Sequence, residues 1–286
     1  MRQRLSALKI VFLSLLLISS CSIENQNSNR TIEDIADEIL DATMLRYPST
    51  PTFYSIKNSH HDQLYDNSLN ALKQWQIRED QWLEELDTIG EPKKVGSRDW
   101  VTFGIIYESL AASRDARVCR KELWETSTTT AWYTGLPFIF DIQPLDSANL
   151  KSQALNRLGQ VSHFIDREIQ NLTIGLSQGY SSPRITVEAV PSEVRMLLES
   201  NSPFLLMGER AEDEEFNNQV KGIFDDEIAP AIRRYAQFIE NKYLGQARDN
   251  ISINSNPDGS KCYPALVRSF STIQPTADEI HDLGLQ

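Results

Sequence analysis

The pattern nearest to a catalytic signature is Gly175-Leu176-Ser177-Gln178-Gly179, which fits G-x-S-x-G. Asp258 and His281 follow it in the order Ser, Asp, His used by one class of hydrolases. That motif works because its serine sits on a strained turn between a strand and a helix. Here helical periodicity precedes Ser177 and a loop, Tyr180 to Pro183, follows it, so no activated nucleophile is expected. Metal chemistry fares no better. His163 with Asp166, and Asp278 with His281, have the i,i+3 spacing that presents two ligands on one helical face. No third ligand accompanies either pair, and a solvated polar face is expected. His60 and His61 are adjacent, so their side chains diverge. Neither H-E-x-x-H nor a phosphate-cradling glycine pattern occurs. The chain therefore carries no complete catalytic site that its sequence reveals.

Cys21 is the residue with the clearest chemistry. Arg2, Arg4 and Lys9 form a positive segment, and Ile10 to Ile18 is an apolar run broken only by Ser14. A bilayer-spanning helix needs about 20 apolar residues, so this run has the length of a signal-peptide core instead. Ile18-Ser19-Ser20-Cys21 resembles the lipobox of bacterial lipoproteins. In that class the cysteine is acylated and cleavage falls just before it. The resemblance makes residues 1–20 a signal peptide and Cys21 a lipidation site bearing palmitate-type chains. The membrane, reached through that anchor, becomes a partner. Two or more acyl chains hold a protein stably where one does so only marginally. Residues 21–30 are polar and asparagine-rich, a tether. Ser22 stands where an inner-membrane retention Asp would sit, so an exported, outer-membrane location facing the periplasm is expected.

Removing the signal leaves 266 residues and moves the net charge from −12 to −15. An acidic body argues against nucleic acid, which demands Lys and Arg to neutralise phosphates. Cys119 and Cys262 remain after lipidation. They are either a disulfide or two buried thiols, since spacing alone does not show their Cα atoms within about 7 Å.

The elements that position these residues read as helices throughout, an all-α chain with at most a short strand or hairpin. Thr31 with Asp34 forms a capping box, followed by an apolar face of Ile32, Ile35, Ile39 and Leu40. Further helices are expected over 62–86, 97–124 and 149–172. Residues 213–248 give the longest pattern, with Pro230 kinking or dividing it. Ser127 to Leu145, with Gly135, Pro137 and Pro144, is expected to be irregular, and Ile185 to Val190 is the one strand-like run. Asn256-Pro257-Asp258-Gly259 is a turn. Thr276 and Glu279 open a last helix only two turns before Gln286, as a truncated chain would. All five tryptophans, Trp75 to Trp132, fall in one stretch, and core packing is the expected use. The acidic run from Glu209 to Glu215 suits a solvated helix start.

Three ordered segments are similar to a bacterial family, domain of unknown function 885. They are Tyr47-Pro48 through Leu64-Tyr65-Asp66, then Gly179 to Arg184, then Tyr243-Leu244 through Pro257-Asp258-Gly259, Tyr263 and Glu279 to Leu285. The resemblance spans nearly all of residues 31–286. It implies a helical body like the N-terminal half of a larger, gluzincin-like metallopeptidase fold, whose zinc motif lies in the C-terminal half. No zinc ligand transfers to this chain, so zinc is expected only in full-length relatives and no cofactor here. The implied function is an envelope lipoprotein, inactive by itself. The alternatives are a lipid-anchored binding or scaffold protein and a half-enzyme completed by a separate C-terminal chain. Tyr180, Arg184 and Tyr263 would line a peptide cleft, or else shape a turn and pack a helix.

Overall fold

The computed structural model describes Arg30 to Gln286, apart from Lys57, Asn58 and Gln274. The signal segment, Cys21 and nearly all of the tether lie outside the described residues. The body from Thr31 onward forms one unit. It is built from helices, with no strand among the described residues.

The first part is a three-helix bundle of α1 (Ile32–Arg46), α3 (Leu69–Ile89) and α4 (Arg98–Ala116), with the short α2 (Ser49–Phe53) after α1. Thr31 caps α1 through a complete capping box, as its spacing predicts. Ile35, Trp82, Leu83, Leu86 and Leu110 are buried together in its core. The second part has its own, larger core. It contains α5 (Trp132–Asp141), α6 (Ala148–Leu158), α7 (Val161–Ser177), α8 (Arg184–Val187), α9 (Val190–Met196), α10 (Pro203–Arg210), α11 (Glu214–Ile223) and α12 (Ala229–Phe238). Then come α13 (Gly259–Ser271), packed on α4, and α14 (Ala277–Gly284). Arg268 of α13 holds Glu108 of α4 with two bonds of 2.7 Å. Cys119 and Cys262 are joined by a disulfide, S–S 2.17 Å, which ties α13 to the chain after α4.

Several expectations are corrected. Residues 62–68 are loop, and α3 begins only after its Ser68 cap. The helix over 97–124 stops at Ala116, where Arg120 turns left-handed between two short 3-10 segments. The pattern over 149–172 is two helices, parted at Gly159 and Gln160. The irregular stretch instead contains α5, with Pro137 inside it. Burial outweighs the proline there: Trp132, Tyr133, Leu136, Pro137, Ile139 and Phe140 all face inward. The strand-like run is α8 and the start of α9. A strand would put Ile185 and Val187 on one face. Here Ile185 is 73% exposed while Val187, Val190 and Val194 are fully buried at helical spacing. β-propensity yields to that burial. What survives of a strand is a single parallel bridge, Pro183 to Arg248. Pro230 does not divide its helical run: the helical backbone continues from α11 through a π-helical turn over Phe224–Ile228, just before the proline, into α12.

Candidate functional site

The tempting serine motif is a packing device. Ser177 Oγ donates to the Ile174 carbonyl at 2.6 Å. Asp258 pairs with Lys261 at 2.9 Å, and His281 stands exposed on α14. No hydrogen bond joins any two of the three. A Cβ on Gly175 would lie 1.8 Å from the Leu123 carbonyl oxygen, so glycine is needed for α7 to meet that backbone. Gly179 has φ +82°, the left-handed turn that ends the helix. Both glycines of the motif thus serve the fold.

The histidine pairs are also occupied or apart. Asp166 takes two bonds from Arg234, at 3.0 and 2.7 Å. His61 Nδ1 is 2.8 Å from Thr52 Oγ1, and burial, then the Arg157 charge, lowers the pKa of its ring. Among the described residues no three His, Cys, Asp or Glu side chains gather to hold a metal ion. These residues do not fit a zinc ion, and no step is derived through one.

The three residues that the resemblance assigns to a cleft have different surroundings. Tyr180 is buried against Leu123 and Trp124. Arg184 pairs with Asp249 at 2.8 Å, donates to the Ala247 carbonyl at 3.1 Å and bonds the Leu244 carbonyl. Tyr263 is half exposed on α13. Tyr180 thus packs in a small apolar cluster and Arg184 ties its turn to the 244–249 segment. The tryptophans part company too: Trp82 is fully buried in the bundle, Trp124 in the small cluster with Tyr180, and Trp132 in the large core.

Trp132 also borders a cleft of about 810 Å³ between the end of α1, the 64–68 loop, α5 and α7. Its lining includes Tyr47, Tyr65, Trp132 and Phe164, together with Arg46, Lys121, Glu122 and Glu125. Tyr65 meets Phe164 edge-on, centroids 5.1 Å apart. The Arg46 guanidinium lies 5.4 and 5.7 Å from the rings of Tyr47 and Tyr65. At the base is Glu168 of α7. Asn67 Nδ2 donates to its Oε1 at 2.6 Å and to the Phe164 carbonyl at 3.0 Å. Asn171 Nδ2 holds the Asn67 carbonyl at 2.9 Å, fixing that amide. Removal from water pushes the Glu168 carboxyl up to about 6, against the pull of the Asn67 bond. Tyr65 is raised as well, first by burial and then by Glu168.

Buried Glu79 shows what a purely structural carboxylate looks like in this chain. It accepts from Trp75 Nε1, Ser113 Oγ and Arg117 Nη2, at 2.9, 2.9 and 3.0 Å. Glu168 has one neutral amide and faces a cavity. Sequence reading passed over it. Its signal was there: Glu168 continues the apolar stripe of Ile165 and Leu172 at helical spacing, where a carboxylate is costly.

The described residues form an all-α body. The chain belongs to the bacterial protein family of unknown function DUF885, which matches residues 48–286. The fold is similar to the crystal structure of "the putative lipoprotein from Colwellia psychrerythraea", at 15% identity and TM-score 0.74. That likeness covers 89% of this chain and 48% of the other, so this chain spans about half that protein's length. No curated protein matches.

Proposed function

We propose that the chain is a lipid-anchored lipoprotein of the bacterial envelope, facing the periplasm from the outer membrane, whose peptidase-like helical body binds peptides without hydrolysing them by itself. The observation that carries this reading is the aromatic cleft floored by Glu168. Its volume and mixed lining suit a short peptide with both apolar and polar groups. The lipobox-like Ile18 to Cys21 and the lipoprotein neighbour support the anchor. Two measurements test it. Labelled palmitate should enter the protein and be lost in Cys21→Ala. The full chain in detergent should bind short peptides calorimetrically and leave them intact; hydrolysis by the purified chain would overturn the binding-only role.

A second reading is favoured by the neighbour's greater length and by α14, which has no buried residue. In it the body is half of an enzyme completed by a separate polypeptide. Peptide cleavage that appears only on adding a chain matching the neighbour's remaining half would select this reading.

A further inference from the structure

Resting on the lipid-anchor reading, we infer that the end of the bundle where the tether enters docks on anionic headgroups of the membrane that holds Cys21. The contact is made by Lys93, Lys94 and Val95 in the loop between α3 and α4, and by Arg98, Val101 and Ile105 of α4. Position is the first argument. Cys21 stands ten residues before Thr31, so even a fully extended tether keeps the start of α1 within about 35 Å of the lipid. Glu33, in the first turn of α1, accepts from Arg98 Nη2 at 2.9 Å. That bond puts the start of α4, and the loop leading into it, at the same end of the bundle.

Surface chemistry is the second argument. Arg98, Val101 and Ile105 fall on one stripe of α4 at helical spacing, and the two apolar members are 44% and 62% exposed. The loop before them is turned by Gly90 at φ +76° and Gly96 at φ +77°. It presents Val95, 76% exposed, beside exposed Lys93 and Lys94. Neither lysine has an ion-pair partner among the described residues. Residues 93–105 carry three cations against one carboxylate, Asp99, in an otherwise acidic chain. Three carboxylates close by have partners: Glu33 has Arg98, Glu91 accepts from Trp100 Nε1 at 2.7 Å, and Asp34 from the Thr31 N–H at 2.8 Å. Cations interleaved with exposed aliphatic groups suit phosphate headgroups above acyl chains, where lysine stems lie in the apolar layer and their ammonium groups on phosphate. The anchor makes this contact intramolecular, at an effective concentration on the order of millimolar, so a few weak contacts suffice. Docking also orients the cleft. Arg46 and Tyr47, which line it, stand at the far end of α1, about 22 Å from Ile32 along the helix. The cleft is then held clear of the lipid.

The test uses the lipidated full chain in phosphatidylcholine vesicles with and without phosphatidylglycerol. A nitrobenzoxadiazole probe is placed on Val95→Cys, or on Gln74→Cys, an exposed position near the start of α3 at the cleft end. With phosphatidylglycerol present, a headgroup-attached quencher should quench the probe at 95 at least twofold more than the probe at 74. Lys93→Glu with Lys94→Glu should erase that difference while the melting curve shows a folded protein, since each cation at an anionic surface is worth about fivefold in binding. A chain that does not float with the vesicles would overturn the anchor reading and the docking with it. Flotation with equal quenching at the two positions would overturn the docking and leave the anchor standing. Excess quenching at 95 that persists without phosphatidylglycerol, or in the double variant, would overturn recognition by charge. A blue-shifted probe at 95 that the lipid quencher does not reach would assign this face to a second copy instead.

Discussion

Two charged side chains in this body have opposite settings, Arg157 fully buried and Glu168 half-buried. Arg157 is fully buried and meets no carboxylate. It donates instead to four neutral acceptors: the Gln63 and Pro48 carbonyls at 2.9 and 3.1 Å, Thr52 Oγ1 at 2.8 Å and Gln143 Oε1 at 2.7 Å. Desolvation lowers its pKa to about 10, and it stays charged. It pins the 48–63 segment, which has little core of its own, onto α6. Arg157→Met keeps the stem but orphans every one of those acceptors, at a cost of about 3–5 kcal/mol. Chemical denaturation should show that loss as a lower midpoint; a change below about 1 kcal/mol would mean that water replaces the guanidinium. Glu168 works the other way. Its carboxyl is raised from 4.5 to about 6 on folding, so the folded state binds the extra proton between those values. Stability therefore falls as pH rises through that window, and above it the ionised carboxylate costs about 2 kcal/mol. Glu168→Gln keeps an acceptor for Asn67 and removes the charge. The variant should melt higher than the parent at pH 8 and together with it near pH 4. A lower melting point at pH 8 would show that Glu168 is paired after all.

At the level of elements, α7 meets the 3-10 turn over Lys121–Leu123 so closely that Gly175 leaves no room for a side chain. Gly175→Ala should force the two apart and destabilise by more than about 3 kcal/mol, well beyond the helix-propensity gain of alanine. Unchanged stability in a thermal melt would refute that contact. The same region shows why part of the architecture was legible and part was not. Capping boxes at Thr31 and Thr276 are local hydrogen-bonding facts, and both form as written. The acidic run does start a helix, with Asp213 capping α11 through the Phe216 N–H at 3.0 Å. Helices whose apolar stripe faces one partner, such as α3 and α4, were readable in type though not in their ends. What escaped was set by tertiary burial: α5 is helical in spite of Gly135 and Pro137, and the Ile185 run is helical because Val187 and Val190 meet the large core. The site escaped for a related reason. Asn67, Trp132 and Glu168 come from three segments as much as 101 residues apart, and no spacing rule joins them.

For the molecule as a whole, packing weakens toward the C-terminal helices, and the disulfide marks the boundary. In α12, Ala231, Ile232, Tyr235 and Ala236 are all buried. α13 is anchored at Cys262 and Arg268, though Phe270 is 83% exposed. α14 has no buried residue, and Leu283 and Leu285 are 70% and 74% exposed. A disulfide that closes a span of 143 residues restricts the unfolded chain by about 5 kcal/mol. That constraint reaches α13 and stops there. An isolated eight-residue helix is marginal in water even with a good cap. Local opening should follow this gradient. In hydrogen exchange on the full chain in detergent, amides of α12 should exchange slowest. Those of α13 should be slow until a reductant opens the Cys119–Cys262 bond, and then quicken. Those of 277–284 should exchange at nearly unprotected rates in both conditions. Strong protection of 277–284 would show that another surface covers Leu283 and Leu285, and its dependence on protein concentration would tell a second copy from the detergent.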